Sequence, residues 1–179
     1  MTVDGPRFAP ASDREVVRWR NGQGTTQVVA ETELWRVSIA DEPTESTFSV
    51  IDGMDRLLTP IGSESMELIG PALEQSGRAE TADVVRYRVE PLQTFAFPGE
   101  WAPQGRVPRP SRALNVMGRR GRVEMAVRIG DASVPVATDA VRIYVDLATE
   151  DAMILPPGEF AAPDWPGTCA VVSIALTGR

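Results

Sequence analysis

The sequence contains no histidine. That removes Ser-His-Asp and Cys-His nucleophilic devices and the usual imidazole ligands for zinc or iron. Lysine is absent too, since all the basic residues are arginine, which excludes Schiff-base and lysine-nucleophile chemistry. The single cysteine, Cys169, allows no internal disulfide. It lies in the run Cys169-Ala170-Val171-Val172 and reads as a small buried hydrophobe rather than a nucleophile. Apolar runs are short: Val28 to Ala30, Met153 to Pro157 and Cys169 to Val172. None approaches the roughly 20 residues of a membrane helix. Met1 to Asp13 carries no apolar leader core, so a cytoplasmic protein is expected. The net charge of -7 disfavours nucleic acid as a partner. No Asp-rich loop of the EF-hand kind is present, and no metal or other cofactor is expected.

What the sequence does have is period-2 alternation. Trp35, Val37 and Ile39 alternate with Arg36 and Ser38; Val85, Tyr87 and Val89 alternate with Arg86 and Arg88. The same pattern runs through Val123 to Ile129 and Val141 to Leu147. Each is the signature of a half-buried strand. Turn signals separate them at Asn21-Gly22, Asp52-Gly53, Ile61-Gly62, Ser76-Gly77, Pro98-Gly99, Gly130-Asp131 and Pro157-Gly158. No helix longer than two turns is expected, and Asp13 to Trp19 allows a single turn. Many short strands joined by regular turns predict an all-β sandwich or barrel. An internal similarity, Phe95 to Trp101 against Ile154 to Phe160, places Pro-Gly-Glu and then an aromatic residue after a strand in both copies. It suggests two related barrels in tandem.

Four segments are richer than a scaffold needs. Arg18 to Thr26 combines two glycines, which let backbone approach a ligand, with Arg, Asn and Thr donors; an exposed hairpin loop explains it equally. In Trp35 to Asp41, Arg36 and Ser38 share the face opposite Trp35, Val37 and Ile39, and that face lines either a barrel interior or solvent. In Phe48 to Arg56, Arg56 has the chemistry to grip a carboxylate bidentately, or is a surface arginine at a strand start. In Ser111 to Gly121, Asn115 sits between Leu114 and Val116, as a bonded core amide or a ligand contact.

Taken together, these segments resemble the HutD/Ves family. The likeness rests on Arg20-Asn21-Gly22-Gln23-Gly24-Thr25-Thr26, Trp35 to Asp41, Phe48-Ser49 through Gly53-Met54-Asp55-Arg56, Phe95 to Gly99, and Arg112 to Gly121. The resemblance implies a bicupin: two tandem cupin-like jelly-roll β-barrels without metal-binding histidines. Residues 1–105 would form the first barrel and 106–179 the second, with a boundary open to strand exchange. It also implies regulation of histidine utilisation by binding a small carboxylate, urocanate or a formimino- or formyl-glutamate, with no established enzymatic activity. The ligand-binding set carried over is Arg20, Asn21, Thr25, Thr26, Arg36, Ser38, Phe48, Arg56, Phe97, Asn115 and Met117. Arg36 or Arg56 would anchor the carboxylate, Asn115 and the threonines would hydrogen-bond the rest, and Phe48, Phe97 and Met117 would form apolar walls. Three positions depart from the family pattern: Gln23 where Gly is common, Ala113 where an acidic residue often follows the Arg, and Pro60 in a strand that usually continues.

Two other classes stay open. A metal-free isomerase or epimerase would need its acid and base from Asp41, Asp52, Asp55, Glu100 or Tyr87, and a carboxylate with a raised pKa would mark it. An interaction module would have a filled barrel with Arg36 and Arg56 pointing to solvent. An exposed strand edge offers a route to a homodimer.

Overall fold

The computed structural model describes residues 4–19, 21–73 and 79–178. The expected turn at Ser76-Gly77 lies outside them. The strands are β1 (Arg7–Ala9), β2 (Val16–Arg18), β3 (Thr25–Glu31), β4 (Trp35–Glu42), β5 (Glu45–Thr47), β6 (Met54–Pro60), β7 (Met66–Leu73) and β8 (Ala79–Val89). They continue with β9 (Phe95–Pro98), β10 (Gln104–Arg106), β11 (Ser111–Arg119), β12 (Val123–Gly130), β13 (Val141–Asp146), β14 (Ala152–Leu155) and β15 (Cys169–Leu176). Among the described residues the helical content is one 3-10 turn, Ala11–Asp13. The single turn allowed at Asp13 to Trp19 is not formed: Asp13 ends the 3-10 turn and Val16–Arg18 are strand β2.

Three antiparallel sheets form. A central sheet has the order β2-β3-β4-β11-β6-β9, a small sheet β5-β10-β7-β8, and a C-terminal sheet β1-β14-β13-β15-β12. The expectation of closed barrels is corrected here: the hydrogen-bonded ladders leave open sheets that bury their faces by stacking. Chain order also does not follow sheet order. β11 lies between β4 and β6, and β1 pairs with β14.

Period 2 decides which side chains each sheet receives. On β4, Trp35, Val37 and Ile39 face the C-terminal sheet. Their register partners on β11 put Leu114 and Val116 on that same side, against Ile143, Val145, Ile154, Val172 and Ile174. Each such fully buried aliphatic stabilises the fold by roughly 1.5–3 kcal/mol. The other face of the central sheet meets the small sheet through Leu58, Phe97 and Ala113 against Met66, Leu68, Val89 and Trp101. β4 is thus buried on both sides, and its even-numbered side chains point into the second interface.

Beyond the C-terminal sheet, Tyr144, Leu155, Cys169 and Val171 form a further apolar cluster with Ala132 and Trp165. Cys169 is fully buried there, and burial, then Asp146 and Asp131, push its thiol pKa up. That leaves it packing as a hydrophobe.

Candidate functional site

The even face of β4 carries Arg36, Ser38, Ala40 and Glu42. The register with β11 sets Met117 opposite Arg36, Asn115 opposite Ser38, Ala113 opposite Ala40 and Ser111 opposite Glu42. β6 adds Arg56 beside Met117 and Leu58 beside Asn115, and β9 adds Phe97 beside Arg56. The middle of this face is a floor of short side chains, Ser38, Ala40, Ala113 and Asn115, with ionisable Arg56 and Glu42 toward its two ends. The residues are interior: Arg56 is 4% exposed, Glu42 3%, Ser38 1% and Asn115 7%.

The Arg56 guanidinium lies between two aromatic rings, 5.0 Å from the Phe48 centroid and 4.9 Å from that of Phe97. The rings meet edge to face with centroids 6.0 Å apart. Such contacts recover part of the cation's desolvation. Phe48 reaches this position because β10 passes behind it with no side chain: a Cβ on Gly105 would stand 2.8 Å from Ser46 Oγ and 2.9 Å from the Phe48 ring.

Arg56 has little else. Its Nη1 donates one long bond, 3.4 Å, to the Ser49 carbonyl, and its Nε has no partner among the described residues. Among the described residues no carboxylate forms a direct ion pair with it, though Glu42 acts on it through space. Burial lowers its pKa to about 10, with Glu42 opposing the shift. The other deeply buried arginine, Arg142, shows what a structural role looks like. Its Nε too has no partner among the described residues, but its Nη2 and Nη1 donate to the carbonyls of Gly158 at 2.7 Å and Phe160 at 3.2 Å, pinning a loop.

Glu42 completes the site. Ser46 Oγ donates to its Oε2 at 3.4 Å. Burial raises the Glu42 pKa to about 7, against the opposing pull of Arg56 and Ser46. The Ser38 and Ser111 hydroxyls and Asn115 Oδ1 are buried on this face without hydrogen-bond partners among the described residues. Buried polar atoms are ordinarily satisfied, so such a cluster marks a place built for something more than packing.

The expected site residues divide. Ser38, Phe48, Arg56, Phe97 and Asn115 are brought together, with Met117 half-buried on the same face. Arg36 sits on that face at the rim, 3.6 Å from Glu31. Thr26 shares the face, but its hydroxyl accepts from Trp19 Nε1 at 2.7 Å. Thr25 is on the opposite face, bonded to Asp41, which also pairs with Arg112. Asn21 is exposed and serves as a clasp: its Nδ2 donates to Thr47 O at 2.8 Å, while Gln23 Oε1 accepts from Thr47 N at 2.8 Å. Gln23, a departure from the family pattern, thus helps tie the hairpin to β5. Arg20 lies outside the described residues.

The five candidate acid or base residues are placed elsewhere or engaged. Asp55 and Glu100 both bind Arg120 on the surface. Asp41 is held by Thr25 and Arg112, and Asp52 is exposed in a turn. The Tyr87 hydroxyl accepts from Leu73 N at 2.9 Å, and its ring stacks near Phe95 and Trp101. Sequence reasoning missed Glu42. The signal was available: extending the Arg36, Ser38, Ala40 alternation by one step reaches it.

Comparison with known proteins places this geometry. Protein Ves of Cronobacter sakazakii is 28% identical over 120 residues, which is 63% of this chain and 60% of that protein. Protein Ves of Escherichia fergusonii is 29% identical over 121 residues, 63% of this chain and 58% of that protein. The match therefore spans about 60% of the length of these curated relatives. Among solved structures, HutD from Pseudomonas fluorescens superposes with a TM-score of 0.73 at 21% identity, over 97% of this chain and 100% of the other. A conserved protein of unknown function from Pseudomonas aeruginosa gives 0.70 at 19% identity, over 97% and 100%. At these identities the likeness establishes the fold alone. The HutD family model matches residues 11–155, which contain every residue of the floor, both ring partners and both ionisable ends, and the chain belongs to the HutD family, with an all-β fold similar to that of the Pseudomonas fluorescens HutD structure.

Proposed function

We propose that the space between the central and small sheets binds a small carboxylate without a metal, and that the chain uses this binding to regulate histidine utilisation. The ligand is a pathway acid: urocanate, formiminoglutamate or formylglutamate. One observation carries the reading: a buried guanidinium held between Phe48 and Phe97 with, among the described residues, no partner for its Nε and no direct ion pair. A buried cation without a direct partner costs several kcal/mol, and a carboxylate supplies that partner in bidentate form. Asn115 Oδ1 and the Ser38 hydroxyl offer an acceptor and a donor to the rest of the ligand. The family membership supports the pathway assignment. In the same reading the fold is a bicupin whose two halves share the central sheet.

The test is a thermal-shift screen of metal-stripped protein against those acids, histidine and unrelated small acids, repeated with Arg56→Met. Binding to the native state raises the melting temperature by mass action. A shift with one pathway acid that disappears in Arg56→Met supports the reading. A parent protein that none of them stabilises removes it.

A metal-free proton-transfer enzyme is the second reading, favoured by Glu42, a buried carboxylate with a pKa near that of a neutral-pH base. It requires turnover of a bound acid that Glu42→Gln abolishes while binding persists. The filled interaction module requires Arg56 at the surface, where it is not.

A further inference from the structure

Among the described residues, Glu42 and Arg56 are the ionisable groups buried between the central and small sheets, and what surrounds them limits how charge can change there. From β4, Arg36 stays at the rim near Glu31, and the Asp41 side chain is held on the opposite face by Thr25 and Arg112. From β11, Ser111 stands opposite Glu42 in register, and from β5 Ser46 donates to it. Among the described residues the small sheet contributes Met66, Leu68, Val89 and the Tyr87 ring. The pair Glu45 and Arg106, on β5 and β10, is largely exposed. Among the described residues the interior thus holds one cation and one carboxylate, facing each other without direct contact across a floor of short side chains.

We infer that the space takes up a small anion and a proton together, the anion at the Arg56 guanidinium and the proton on the Glu42 carboxylate. This deepens the binding reading above and rests on it. An anion entering beside Arg56 with Glu42 still ionised would leave a net negative charge buried among aromatic and aliphatic walls, at a cost of several kcal/mol. Protonating Glu42 avoids that charge and is easy, because burial has already brought its pKa to about 7. A second anion nearby raises it further. No bond is made or broken: one proton moves from solvent to a Glu42 oxygen, and the site holds, in net terms, the acid form of the ligand. The protonated carboxyl then offers an O–H donor where it previously only accepted. Affinity for a simple monoanion therefore falls as pH rises above neutrality, because the competent, protonated fraction shrinks about tenfold per pH unit.

The probe is formate, the smallest carboxylate, titrated calorimetrically into the full chain at about pH 6 and about pH 8.5, with each pH run in two buffers of different ionisation enthalpy. The expected result is binding roughly 30-fold weaker at the higher pH, from the competent fraction alone, with close to one proton taken up per formate there. Glu42→Gln, a neutral copy of the protonated side chain, is expected to bind formate equally at both pH values and as tightly as the parent at the lower one. Equal parent affinity at both pH values without proton uptake overturns the inference. So does an absence of formate binding at the lower pH, or a pH dependence that survives in Glu42→Gln. The proton count needs no variant, so a poorly folding mutant does not decide the matter. The binding reading is judged separately on the wider acid panel: a pathway acid that binds through Arg56 with no proton uptake leaves it standing while this inference fails.

Discussion

Glu42→Gln is expected to make the protein more stable, and only above acidic pH. Burial raises the Glu42 carboxyl from 4.5 to about 7 in the folded chain. In the window between those values the folded state keeps a proton that the unfolded chain has released. Stability is therefore lost as pH rises through the window, at about 1.4 kcal/mol per pH unit. Over the full shift the parent forfeits on the order of 3 kcal/mol by pH 8. Glutamine has the same shape, never ionises and still offers Ser46 an acceptor, so the variant escapes that loss. The two proteins should match at about pH 4 and diverge steadily to about pH 7, and the gap should then stay constant. For a chain of this length it amounts to a melting-temperature difference on the order of 10 °C. Chemical denaturation at several pH values reads it directly. A difference that does not change with pH, or a parent more stable than the variant at about pH 8, would refute the reasoning.

Further outcomes follow from the same structure. Arg56→Met replaces a buried cation without an ion pair by an apolar chain of similar reach, so its melting temperature should be equal to or above the parent's while the ligand shift is lost; a fall of several degrees would mean the two rings need the guanidinium for packing. Gly105→Val places branches where Ser46 Oγ and the Phe48 ring already stand and should destabilise by roughly 1–3 kcal/mol, measured by denaturant midpoint. Arg120→Ala frees Glu100, whose pKa the Arg120 hydrogen bonds, then the Gly53 amide, hold down to about 2. Carboxyl NMR titration should show Glu100 returning toward its ordinary range. Because the pair is solvent-exposed, stability at neutral pH should change by under about 1 kcal/mol.

How much of this was legible in the sequence depends on range. Alternation is local, and it marked β4, β8, β12 and β13 correctly because each has a face that must be buried. The polar face of β4 was ambiguous for the same reason. Period 2 separates two faces but does not say that both are covered, and coverage here comes from a small sheet whose strands other than β5 are distant from β4 in sequence. The internal similarity shows another limit. Pro98-Gly99 and Pro157-Gly158 both follow strands, yet a Cβ on Gly99 would collide with the Ile51 carbonyl oxygen, whereas Gly158 is needed for its φ of 131°. Trp101, after the first copy, is buried against the small sheet; Phe160, after the second, is 38% exposed. The motif likeness does not extend to a shared packing role.

Within the candidate site, residues chosen for chemistry alone fared unevenly. Asn115 stood out as a polar residue between apolar neighbours and Arg56 for its guanidinium chemistry, and both are buried with hydrogen-bonding capacity unspent among the described residues. Thr25, Thr26 and Asn21 were equally polar, but their groups are spent on Asp41, Trp19 and Thr47. Only three-dimensional partners distinguish a spent donor from a free one. Pro60, which broke the expected strand, is simply its last residue. Ala113, where an acidic side chain was expected, lies in the floor whose short side chains separate Glu42 from Arg56.

The central claim is that a carboxylate binds at the Arg56 guanidinium. The most direct measurement is the Arg56 Nε–H resonance, assigned by its loss in Arg56→Met, followed by proton–nitrogen NMR while urocanate, formiminoglutamate or formylglutamate is added. The account predicts a saturable downfield shift of that resonance with the same ligand that raises the melting temperature, as the free Nε–H gains a charged acceptor. A ligand that binds and stabilises the protein while leaving the Arg56 resonance unmoved would contradict it.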